Sequence, residues 1–157
     1  SLYNGLRFSS QKVMLEDYEI LTSVFLKINR MVFIDNNLYF YRQNSNSITH
    51  NVNVEIISEN NITIAKREQM ILEAYPDLLT AVKIGRAYRA LSYLTFLRKI
   101  CDDYEIKQKE QKNLRKYLYL FLLDEDINIK KKLAALLLSV NLRIYDTMLR
   151  LYSKECF

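Results

Sequence analysis

The hydrophobic pattern changes character twice along this chain. From Asp17 onward, Ile20, Leu21, Val24, Phe25 and Ile28 recur at helical spacing, which predicts a helix ending near Asn29. Two β-branched and aromatic runs follow, Met31 to Ile34 and Leu38 to Arg42, on either side of Asp35, Asn36 and Asn37. They predict two short strands around a turn. The polar loop Gln43 to Ser47 and a passage marked by Asn44, Asn46, Asn51, Asn53, Asn60 and Asn61 then lead into helical periodicity. The change falls near His50 and divides the chain into residues 1–50 and 51–157.

Beyond it the pattern predicts four or five helices. The first, about Val54 to Ala74, aligns Ile57, Ile64 and Ile71 on one face. It ends because Pro76 disfavours the α conformation at Tyr75. The second starts around Pro76 or Asp77 and continues to Ile100, with Ile84, Ala87, Leu91 and Leu94 inward. The third, Tyr104 to Leu123, turns Leu114, Tyr117, Leu118, Phe121 and Leu122 to the core and Lys107, Lys109, Glu110 and Lys112 to solvent.

The last segment, Asn128 to about Ser153, is different. As a single helix it gathers Lys132, Arg143, Arg150 and Lys154 into a narrow arc beside a broad apolar surface of Leu133, Leu137, Val140, Ile144 and Met148. Two readings stay open. Residues 128–154 lie in an anionic membrane interface, or they pack on the other helices and leave a basic face in water. Asn141 is the point at which the segment could break in two.

Composition narrows the class. The 157 residues are 50% hydrophobic and 26% charged, enough for one packed core, and two Gly with one Pro favour long uninterrupted helices. The expected fold is therefore mainly α: a helical, bundle-like C-terminal region preceded by a small α+β part, one helix plus two short strands. The net charge of +5 and a pI near 9.1 suit an anionic partner. Nucleic acid is disfavoured, because the positive charge is spread among acids and no base-reading motif accompanies it. Cys101 and Cys156 match no metal or redox spacing, as expected of reduced thiols in a cytosolic protein. No apolar run approaches the ~20 residues of a spanning helix. The opening LYNGLRF begins in mid-pattern without an initiator methionine, which predicts an upstream part.

The candidate chemistry centres on Glu16 and Asp17. They stand where helical periodicity begins, and a helix N-terminus favours negative charge, which suits a carboxylate that must accept a proton. An ordinary helix cap is the alternative. His50 is the only histidine, and a lone histidine here reads as a surface or packing residue. Asp124-Glu125-Asp126 has the form of a D-x-D metal motif, but it lies between two predicted helices and reads as a cap, as does Asp102-Asp103. Asn61-Ile62-Thr63 is a glycosylation sequon by pattern only.

Taken together, Phe8, Glu16-Asp17-Tyr18, Val32-Phe33-Ile34-Asp35, Leu38-Tyr39, Tyr41-Arg42 and Ser47-Ile48-Thr49 resemble the closing part of a bacterial family 2 glycosyltransferase catalytic domain, of GT-A type and inverting. The resemblance covers about forty residues and implies that residues 1–50 are the end of a nucleotide-sugar-binding domain. It implies that Asp17 is the general base, that Glu16 positions the acceptor, and that Arg42, with Tyr41, contacts a phosphate-bearing donor or acceptor. It further implies a divalent metal, Mg or Mn, in the full-length enzyme, for which His50 is a candidate ligand because a late histidine joins the metal site in some enzymes of this fold, and a glycan or lipid-linked acceptor. Location would be cytoplasmic, peripheral at the inner face of the cell membrane. Because the donor-binding half is not among these residues, the fragment alone should be inactive. The competing reading is a non-catalytic helical interaction or membrane-association module in which Glu16 and Asp17 only cap a helix.

Overall fold

The computed structural model describes residues 4–7, 15–36, 39–40, 54–100, 103–145 and 147. The protein is mainly helical. In order come α1 (Glu16–Phe25), α2 (Val54–Ala74), a 3-10 turn (Pro76–Leu78), α3 (Leu79–Ile100), α4 (Tyr104–Leu123) and α5 (Ile129–Val140). These elements fall into two compact units, Ser1–Asp77 and Leu78–Phe157.

In the first unit α1 packs on α2. Ile20 and Ile57 are buried, and the Arg67 guanidinium lies 5.0 Å from the centre of the Tyr18 ring. Thr22 is also buried, but its Oγ1 donates to the Tyr18 carbonyl at 2.7 Å, so the hydroxyl keeps a partner. Helix α1 stops at Phe25, short of Asn29. The Lys27 N–H donates to the Val24 carbonyl at 2.9 Å, and this shorter-range bond tightens and closes the last turn.

The two short strands are not found. Met31–Ile34 is irregular, as are Tyr39 and Phe40, and no strand occurs among the described residues; Leu38, Tyr41 and Arg42 lie outside them. β-Branched and aromatic side chains favour a pleated, half-buried surface, but a strand exists only through its ladder to a neighbour. Here the run is solvent-facing, with Phe33 84% and Phe40 96% exposed.

The second unit is built on the α3–α4 pair, with α5 packed on both. The core gathers Ala87, Ala90, Leu91 and Leu94 from α3, Leu114 and Phe121 from α4, and Ala135 and Leu138 from α5. Ala87 and Ala90 stand three apart on one face of α3, and their small side chains allow α4 to approach closely. Helix starts follow from local chemistry. Asp103 Oδ1 accepts from the N–H groups of Glu105 (2.8 Å) and Ile106 (3.3 Å) at the start of α4, and Asn128 Oδ1 accepts from Lys130 N–H (2.8 Å) at the start of α5.

Two features of this unit depart from expectation. Glu110 is buried rather than outward, and its Oε2 accepts from Asn113 Nδ2 at 3.3 Å. It lies four residues before Leu114, so the apolar stripe of α4 carries it inward despite its charge. The terminal segment is not one helix. Asn141 adopts φ −155° and ψ 126° after Val140, and a new helical turn begins at Leu142, so Lys132 and Arg143 no longer share a helix.

The break is held from α4. The last carbonyls of a helix have no intrahelical partner. Those of α5 are met by Gln111 Nε2 (to Leu138, 2.6 Å) and by Arg115 (Nε to Ser139, 2.5 Å; Nη2 to Val140, 3.3 Å). A cation at a helix C-terminus also opposes the macrodipole favourably. Gln111→Ala should leave the buried Leu138 carbonyl unsatisfied and cost about 1–3 kcal/mol. Urea unfolding checks the cost, and faster amide exchange confined to the last turn of α5 checks its place.

Candidate functional site

Helix α1 begins in an unusual way. Leu15 occupies the N-cap with φ 70° and ψ 24°, in the left-handed region, and no side chain caps the helix. For a residue with a Cβ this conformation costs about 1–2 kcal/mol. Strain of this kind persists where surrounding structure or function holds it. Glu16 and Asp17 follow as the first two helical residues, so neither is the cap; the side chain of Asp17 is exposed. A carboxylate, that of Asp17, thus stands exposed in the first turn of a helix that no side chain caps.

The described structure does not bear on the other residues expected at this site. Tyr41, Arg42 and His50 lie outside the described residues, as do Cys101, Asp102, Met148, Arg150, Lys154 and Cys156. Among the described residues no group of three or more His, Cys, Asp or Glu side chains is placed to hold a metal ion. Asp124-Glu125-Asp126 is a connection between α4 and α5, in which Asp124 Oδ1 accepts from the Asp126 N–H at 2.9 Å. The sequon Asn61-Ile62-Thr63 lies inside α2, with Thr63 buried.

Charge is distributed in a way that single-position reading does not reveal. Helix α3 contains Lys83, Arg86, Arg89, Arg98 and Lys99 and no carboxylate; the stretch Ile127 to Tyr145 contains Lys130, Lys131, Lys132 and Arg143 and again no carboxylate. Counting signs helix by helix would have found it. Where α3 meets α4, Arg86 donates to the Tyr117 hydroxyl at 3.3 Å, and this bond, with help from Lys116, holds the phenol below its usual range although burial pushes it up.

Helix α5 has two apolar faces. Ala135 and Leu138 point into the core, whereas Ile129, Leu133, Leu136 and Val140 recur at four, three and four residues on the outer side, with Ile129 65% and Val140 68% exposed. Leu133, Val140 and Ile144, expected on a single apolar surface with Leu137, are thus on the water side. Among the described residues no helix is long and apolar enough to cross a membrane. No family model, curated protein or solved structure matches this chain.

Proposed function

We propose that this chain is the C-terminal part of an inverting, family 2-type glycosyltransferase that transfers a sugar from a nucleotide-sugar donor to an acceptor hydroxyl, in bacterial surface polysaccharide or glycoconjugate synthesis. The observation that carries the reading is the exposed run Met31–Ile34, continued by Tyr39 and Phe40. It is strand-type sequence in solvent with no ladder among the described residues, as expected where a sheet supplied by another part of the protein completes it. The run also follows the acid pair in the order and spacing of that family's closing motifs.

In this reading the acceptor hydroxyl gives its proton to the Asp17 carboxylate as its oxygen bonds to the anomeric carbon. The bond from that carbon to the nucleotide diphosphate breaks, the diphosphate leaves, and configuration inverts. Glu16 orients the acceptor, and Arg42 with Tyr41 contacts phosphate. A divalent Mg or Mn ion would supply charge neutralisation for the leaving diphosphate, and no group among the described residues is placed to hold it. The test is the full-length enzyme carrying Asp17→Asn: transfer is lost while donor binding is kept, and retained turnover removes Asp17 from the mechanism.

The outer face of α5 favours a second element, peripheral attachment to the cytoplasmic face of an anionic membrane. Its apolar stripe is flanked by Lys130 on one side and Lys132 on the other, so a second copy laid on it in parallel would bring like charges together, whereas an anionic bilayer meets both the stripe and the charge. The full chain is expected to float with phosphatidylglycerol vesicles and to lose at least tenfold in partitioning with Ile129→Ser/Val140→Ser. Equal flotation of parent and variant removes the attachment and leaves the transferase reading intact.

A further inference from the structure

A cavity of about 470 Å³ opens between α3 and α5, within the size range of small-ligand sites. Its floor is apolar: Leu91 and Phe96 from α3, Ala134 from α5, and the ring of the buried Tyr145. The α3 side carries two hydroxyls, but both donate to their own helix. Ser92 Oγ bonds the Tyr88 carbonyl at 3.0 Å, and Thr95 Oγ1 bonds the Leu91 carbonyl at 2.9 Å. Their protons are therefore engaged, and this wall offers a ligand little beyond van der Waals contact.

One end of the groove is the opposite. Lys130 and Lys131 line it, and both are exposed. The Lys131 ammonium lies 4.6 Å from the centre of the Tyr88 ring and donates to the Tyr88 hydroxyl. With a lone pair thus occupied, Tyr88 Oη is left to donate its own proton outward, alongside the remaining N–H bonds of the two ammonium groups. No carboxylate lines the cavity, and neither helix that forms it contains one. Lys130 and Lys131 also sit in the first turn of α5, where the macrodipole disfavours cations. The fold thus accepts an electrostatic cost at the place where the groove ends, as functional sites do.

From these observations we infer that the α3–α5 groove binds a single-chain anionic amphiphile, its apolar chain along Leu91, Phe96 and Ala134 and its phosphate or carboxylate head on Lys130, Lys131 and the Tyr88 hydroxyl. From Tyr88 to Phe96 the groove follows α3 for about 12 Å at the helical rise, room for a chain laid lengthwise. The ligand is taken up as a monomer. The groove does not depend on the transferase reading, and it lies between α3 and α5, apart from the outer stripe of α5 discussed for membrane attachment.

The test is calorimetric titration of the full chain with n-dodecyl phosphate below its micelle concentration. Inorganic phosphate supplies the head alone, dodecyl maltoside the chain without charge, and phosphatidylglycerol vesicles the bilayer source. Dodecyl phosphate should saturate at one per chain, at least tenfold tighter than phosphate or maltoside. Lys130→Glu/Lys131→Glu should weaken it at least tenfold while raising the melting temperature, because acids replace cations at a helix N-terminus. Ser92→Trp, at an exposed position on the rim, should weaken it similarly with the melting temperature unchanged. Ile129→Ser/Val140→Ser should leave it unaltered. Parent-like binding by both groove variants overturns the inference, as does loss of binding confined to the outer-face variant or a response to vesicles alone.

Discussion

Phe121→Ala is expected to destabilise the α3–α4–α5 unit by about 3–5 kcal/mol, the range for deleting a buried aromatic ring. Phe121 is fully buried at the centre of the helical cluster and meets the Tyr88 ring at 6.1 Å between centres, tilted by 51°. Its removal takes away transfer energy and leaves a void that Leu114, Ala135 and Leu138 cannot close without shifting three helices. A domain of this size has about 5–15 kcal/mol in all, so the variant is left marginal or unfolded at 37 °C. Each kcal/mol lowers the melting temperature by about 4–8 °C for a unit the size of Leu78–Phe157, which makes the loss easy to read by circular dichroism. Leu118→Ala, at a half-buried position one turn away, serves as the comparison and should cost clearly less. A loss below about 1.5 kcal/mol for Phe121→Ala would mean that this side chain is not at the centre of the core.

The helices were legible because their signals are local. Val54–Ala74 and Tyr104–Leu123 stand as the periodicity places them, Pro76 marks the boundary it should, and Asp103 caps the helix it precedes. Two of the misses have another cause, a partner remote in sequence. A strand needs a neighbouring strand, so the β-branched and aromatic run at Met31–Ile34 could announce a tendency but not a ladder. Glu110 is a local exception: its charge predicts exposure, whereas its position four residues before Leu114 decides its burial. The end of α5 at Val140 is set by Gln111 and Arg115 reaching across from α4, and nothing in the sequence of α5 announces that.

The site was legible to a different degree. Glu16 and Asp17 do open a helix, but the left-handed Leu15 before them was not foreseeable, since leucine carries no signal for that conformation. The basic character of α3 and α5 was present in the letters all along, diluted by the acids of other helices in the net charge of +5. What folding adds is placement: Lys131 of α5 and Tyr88 of α3, far apart in sequence, meet at the mouth of one groove.

On the proposed transferase reading, Asp17→Asn in the full-length protein should lower kcat by about 10²–10⁴, the contribution of a positioned general base, with donor affinity unchanged. The size of the effect discriminates between the two roles open to this residue. As a first-turn acid acting only on the macrodipole, Asp17 is worth about 0.3–1 kcal/mol of stability, and its loss would leave the enzyme folded and turnover within a fewfold of the parent. The substitution is close to isosteric and the side chain is exposed, so unfolding cannot produce a thousandfold fall. Glu16→Gln should act more on acceptor affinity than on kcat, because an acceptor-positioning carboxylate contributes to binding before it contributes to the chemical step. Asp17→Glu restores the carboxylate one methylene farther out and should recover part of the rate. Turnover of Asp17→Asn within tenfold of the parent would return the acid pair to an ordinary helix start and leave the exposed Met31–Ile34 run in need of a different partner.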